Sequence, residues 1–144
     1  MKIRELFGLL MAATVLGTGC VAAEEETLNF RLITRMVAGT FFDATNVEGQ
    51  SVGAGIYAGV AVFEDGRLAN KEFVLSMDNS GAKGSYIGYS TYTFVNGDSL
   101  TLSFTGGWGA DRAGGDYTVL SGTGAYEGAT GTGRFDAVEN TWEN

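Results

Sequence analysis

The 144 residues contain no histidine, which removes the commonest general base and metal ligand and every serine or cysteine nucleophile arrangement that depends on an imidazole. Chemistry is left to carboxylates, phenols, guanidinium groups and shape. Asp111 and Arg112, with Asp116 close behind, fall in or beside the glycine-rich stretch Trp108 to Gly115. A carboxylate or guanidinium there, at the mouth of a pocket, could protonate or steer a substrate, so Asp111 and Arg112 are the candidate catalytic residues. Loop charges of this kind are more often simply solvated. Tyr57, Tyr86, Tyr92, Trp108 and Tyr117 are the candidate ligand-binding residues, because each offers an apolar ring with a polar tip. Tyr86, Gly88, Ser90, Tyr92 and Phe94 share one face of an extended segment, and Tyr89 points the other way. Packing alone is the plainer account of any single ring.

Other motifs lead away from cofactors. No Asp/Glu cluster has the spacing of a calcium loop, and neither a metal nor any other cofactor is expected. Gly122-Thr123-Gly124 with Gly128 superficially matches a nucleotide-binding glycine pattern. Such a motif needs a following helix to present amides to phosphate, and Ala129 to Gly133 is a poor helix former. Gly107-Trp108 is similar to a lipocalin fingerprint but comes too late in the chain. With a pI near 4.4 and a net charge of −8, a nucleic-acid partner is not expected.

These residues need a scaffold, and the sequence describes a β one. From Thr27 onward no 3.6-residue period is sustained, and strand-like runs recur between turn signals. Leu28 to Leu32 alternates apolar and polar positions. Val52 to Glu64 and Leu68 to Met77 read as a hairpin about Asp65-Gly66, where the turn needs positive φ angles. Ser85 to Val95 and Ser99 to Thr105 form a second hairpin about Asn96-Gly97. Trp108 to Gly115 reads as a loop, Asp116 to Leu120 as a short strand and Arg134 to Val138 as the closing strand, six to eight strands in all. Proline is absent and glycine occurs 23 times. Gly53, Gly55 and Gly59 within one strand suit a tightly curved sheet, and closure would protect long edges from pairing. The expected fold is all-β, a single antiparallel eight-stranded barrel.

Lys2 and Arg4 precede the apolar run Leu6 to Leu16, which is short for a bilayer span and has the form of a secretory signal peptide. Residues 1–23 are read as the signal and 24–144 as the barrel domain. Val21-Ala22-Ala23 suits cleavage before Glu24, whereas Cys20 after Leu16-Gly17-Thr18-Gly19 suits lipoprotein acylation. Both remain open. Either makes the protein exported, whether periplasmic, secreted or lipid-anchored, with membrane contact only through a lipid on Cys20. Cys20 is the only cysteine, so no disulfide forms within the chain.

"YTFVNGDSLTLSFTG" from Tyr92 and "YTVLSGTGAYEGATGTGRF" from Tyr117 resemble the allene oxide cyclase and dirigent superfamily, whose late hairpin carries a glycine-rich turn ending in an aromatic residue. The corresponding turn here is Ser121 to Tyr126, and Val52-Gly53 with Gly55 and Gly59 is similar to the glycine-bearing second strand. The resemblance spans about residues 49 to 135. It implies a calycin-type eight-stranded barrel with an apolar cavity, often dimeric or trimeric, that binds a small apolar molecule and acts as a cofactor-free cyclase or isomerase by confining its conformation. It implies no catalytic residue at a numbered position. The rival expectation is a non-catalytic envelope protein using the same scaffold for binding or assembly.

Overall fold

The structure, a computed structural model, describes residues 9–15, 24–109 and 112–137. Seven strands, β2 (Glu24–Asp43), β3 (Gln50–Phe63), β4 (Leu68–Ser80), β5 (Lys83–Phe94), β6 (Ser99–Trp108), β7 (Ala113–Gly122) and β8 (Ala129–Ala137), pair in chain order as one antiparallel sheet. Apart from a 3-10 turn at Gly124–Tyr126, no helix occurs among the described residues. The backbone of β1 (Leu9–Val15), within the leader-like run, pairs with Glu24 to Phe30 of β2 and with Ala129 to Arg134 of β8.

Strict alternation decides which side chains meet. Leu28, Phe30, Ala61, Phe63, Ala69, Tyr92, Phe94, Leu100, Leu102, Phe104, Tyr117 and Val119 are buried on the inner face, while Val62, Val74, Ile87 and Tyr89, at the alternate positions of their strands, lie outside. The sheet is strongly curled. Phe30 on β2 touches Tyr92 on β5 with ring centroids 5.2 Å apart, three strands away in the ladder. Full burial of Leu28, Leu100 and Leu102 contributes about 2 kcal/mol each.

The two hairpins at one end are built alike. In each, the glycine N–H donates to the phenylalanine carbonyl three residues earlier, Gly66 to Phe63 and Gly97 to Phe94. Only the glycines have positive φ, 87° and 90°. This is the longer loop closed by a left-handed glycine, not the two-residue turn with two positive φ angles that Asp65-Gly66 suggests on its own. The Asp65 and Asn96 side chains instead cap the backbone N–H groups of Arg67 and Asp98.

Three boundaries differ from the sequence expectation. Trp108 to Gly115 is mostly strand, leaving only Gly109 to Arg112 between β6 and β7. The strand expected from Asp116 to Leu120 runs from Ala113 to Gly122 as β7, with Asp116 facing outward to Arg134. The last strand begins at Ala129 rather than Arg134, so the turn in the Gly122 to Gly133 unit is confined to about Thr123 to Gly128.

One packing device recurs along the inner face. A Cβ placed on Gly84 would strike the Trp108 ring, one on Gly88 the Phe104 ring, one on Gly106 the Tyr86 ring and one on Gly55 the Tyr57 ring. These strand glycines provide room for rings lying flat against the wall. Gly115 works similarly, its missing Cβ facing the Thr105 carbonyl and the Phe135 ring.

Candidate functional site

At the end holding the hairpins about Gly66 and Gly97, the inner face is filled and latched. Tyr126 stacks on Phe94 at 4.8 Å between centroids, and its hydroxyl accepts a hydrogen bond of 2.5 Å from Arg67. Arg67 also pairs with Glu26 and Asp65, each at 2.5 Å, and lies over the rings of Phe63 and Phe94. The bond to Asp65 holds the guanidinium firmly protonated. Asp98 accepts from the Ala125 N–H, fixing the turn whose Gly124 has a φ of 58°. Arg67, Ser99 and Asp98 thus engage the Tyr126 hydroxyl, the Thr123 hydroxyl and the Ala125 N–H in closing this end.

One turn of pleat further along β4 the pattern changes. Ala69, Lys71, Phe73, Leu75 and Met77 share the inward parity, and Lys71 is only 2 % exposed. Its Nζ lies 2.5 Å from the Tyr117 hydroxyl, which is 3.3 Å from that of Tyr92. Four rings surround the amine, Phe73 at 4.7 Å, Tyr92 at 4.9 Å, Tyr117 at 5.0 Å and Phe104 at 5.7 Å from Nζ to centroid. Among the described residues no carboxylate pairs with it. Burial lowers the Lys71 pKa to about 7, while the ring faces favour its cationic form. Burial also raises Tyr117 to about 12 and Tyr92 well above its ordinary value. Both phenols stay protonated near neutrality and can donate.

Ser90 adds a second unusual polar group. It is 2 % exposed, its Oγ has no hydrogen-bond partner, and it sits diagonally from Lys71, whose direct partner on β5 is Tyr92. An orphaned buried hydroxyl beside an unpaired amine is a costly combination for packing alone.

No family model, curated protein or solved structure matches the chain.

Of the five residues expected to bind ligand, all are on the inner face. Tyr92 and Tyr117 are buried at the Lys71 cluster, whereas Tyr57, Tyr86 and Trp108 are half-buried nearer the other end. Tyr57 stacks on Phe73 at 4.7 Å and Tyr86 on Trp108 at 5.8 Å. The Tyr86 hydroxyl donates to the Gly114 carbonyl, and burial raises its pKa. Phe135 completes this ring-lined wall, 4.8 Å from Tyr117. Of the candidate catalytic residues, Arg112 is exposed at the β6–β7 connection, while Asp111 lies outside the described residues, as does Cys20. The structure thus brings the aromatic candidates together around a residue that sequence reading passed over. Lys71 looks like a surface lysine between Asn70 and Glu72, and only its parity with Phe73 and Leu75 marks it as inward.

A depression of about 570 Å³ opens elsewhere, on the outer face, lined by Ile56, Val74, Ile87 and Tyr89 among others. Another of about 430 Å³ lies beside Arg67 and Tyr126.

Proposed function

We propose that this chain is an exported β-barrel that binds one small apolar molecule on its inner face, between the half-buried ring wall and Lys71, and that it works as a cofactor-free cyclase or isomerase. The carrying observation is Lys71 itself, a buried amine without a carboxylate partner, touching the Tyr117 hydroxyl beneath aromatic rings. Rings supply apolar contact area and confine a flexible substrate. Protonated phenols and the amine offer directed polar contacts where charge develops.

The curl of the sheet and the inward rings support a closed, calycin-type barrel akin to the allene oxide cyclase and dirigent superfamily. In this reading β1 matters, because its backbone bonds to both β2 and β8. Cleavage before Glu24 would remove that strand and leave β2 and β8 to meet each other or a second copy. Intact mass of the exported protein, read with its oligomeric state, tests this: a retained leader with a monomer supports closure by β1.

Native mass spectrometry of protein from its own envelope tests the binding itself. A co-purifying small apolar molecule, displaced in Tyr57→Ala and Trp108→Ala variants, is the expected result. A protein that carries no ligand and takes up no apolar dye would support the rival reading of a non-catalytic envelope component, which the tightly filled Arg67 end favours.

A further inference from the structure

We propose that Lys71 is a carbonyl-reactive amine that condenses with a small apolar aldehyde or ketone to form an imine; this rests on the ligand-binding reading of the same inner face. The geometry separates Lys71 from an ordinary surface lysine. An ion-paired lysine is held as ammonium and has no free electron pair, but no carboxylate pairs with Lys71 among the described residues. A desolvated amine in an apolar pocket is the standard way for a lysine to become nucleophilic near neutral pH. Lys83, by contrast, is exposed at the start of β5.

The surrounding groups match what the condensation requires. The Nζ electron pair forms a bond to the carbonyl carbon, and the C=O π pair moves to oxygen, which takes a proton from the Tyr117 hydroxyl. Tyr117 recovers a proton from the nitrogen, giving a neutral carbinolamine. Loss of its hydroxyl with the remaining nitrogen-bound proton releases one water and leaves the C=N bond. Tyr92 donates toward Tyr117, and the unpartnered Ser90 hydroxyl offers a hydrogen bond to the carbinolamine oxygen. The titratable groups facing Lys71 are Tyr92 on β5 and Tyr117 on β7. Its partner on β3 is Gly59, and the β6 ring beside it is Phe104, neither of which titrates. The half-buried Phe73, Leu75, Tyr86 and Phe135 pack against the buried cluster, Phe73 with its ring 4.7 Å from Nζ, and a small carbonyl compound would enter from their side.

The test uses the full exported protein with propanal and cyanoborohydride, which fixes an imine as a propyl amine, followed by peptide mapping. At pH 7 Lys71 should be labelled on the order of a hundredfold faster than a free lysine amine, which is almost wholly protonated there. The Lys71 rate should titrate near neutrality and fall in Tyr117→Phe, while Lys83 labelling stays unchanged. In Lys71→Met and Lys71→Arg the fast site should vanish. Labelling confined to Lys83 and the N-terminal amine, with Lys71 modified only in urea, overturns the imine. Propan-1-ol, which cannot form an imine, reports binding separately through the aromatic NMR signals. Alcohol binding without propanal trapping defeats the imine and leaves the ligand-binding reading standing. Neither binding nor trapping defeats both. Butanoate binding that is lost in Lys71→Met, with no imine trapped, would instead make Lys71 a carboxylate counter-ion and overturn the proposal.

Discussion

Arg67, just before β4, and Lys71, within it, lie four residues apart and both direct a cation toward aromatic rings, yet their surroundings are opposite. Arg67 holds Glu26, Asp65 and the Tyr126 hydroxyl. Lys71 holds the Tyr117 hydroxyl and rings, with no counter-charge. Partially exposed and fully partnered, the first is a latch. The second keeps an energetic cost that a structural residue would not need, since an apolar side chain of similar length would fill the space more favourably.

The comparison can be broken most severely at the latched end. Tyr126→Ala should destabilise by roughly 3–5 kcal/mol in urea titrations, since it empties a buried aromatic site. Tyr126→Phe, which keeps the ring and loses only the Arg67 contact, should cost about 1 kcal/mol. At the other end, Tyr117→Phe should cost about 1–2 kcal/mol by leaving Nζ without its hydrogen bond. Lys71→Met should go the other way, gaining on the order of 1 kcal/mol. If Lys71→Met is instead as damaging as Tyr126→Ala, the amine is a structural keystone and the contrast fails.

The pH dependence sharpens the same point. Lys71 has a folded pKa near 7, below the ordinary lysine value, so above pH 7 the unfolded chain binds the extra proton. Stability should rise with pH from about 7 until the lysine value is approached. Above that, Tyr92 and Tyr117, whose folded pKa values are raised, should make it fall, because the unfolded phenols lose protons first. Thermal melts across this range should lose the rising limb in Lys71→Met and keep the falling one. The smallest effect belongs to Asp116→Asn. Its partner Arg134 is equally outside the core, with side chains 69 % and 88 % exposed, and no measurable change in melting is expected.

Legibility in the sequence followed the same division. The Asp65-Gly66 and Asn96-Gly97 hairpins are visible because a left-handed glycine is a local requirement. The inward parity of Tyr86, Ser90 and Tyr92 is equally local, and the structure places all three inside. By contrast, Gly114 and Gly115 look like loop yet lie in β7, where a Cβ on Gly115 would meet the Thr105 carbonyl and the Phe135 ring, both remote in sequence. Lys71 was missed for a related reason. A lysine is exposed by default, and nothing near it in sequence reveals that the β7 phenol of Tyr117 reaches it across the curled sheet. Asp116, an acid beside the glycine-rich stretch, faces out because it follows Gly115 in the strand alternation.

The pairing of each inward glycine with a neighbour's ring also constrains how such a chain can drift through mutation. A methyl gained at Gly84 has to be met by a smaller residue at position 108, and one at Gly55 by a smaller residue at 57. Homologous sequences should therefore change at these sites in couples rather than singly. The width of the inner space would be inherited as a set of matched pairs, each of which can be exchanged as a unit to admit a ligand of another size.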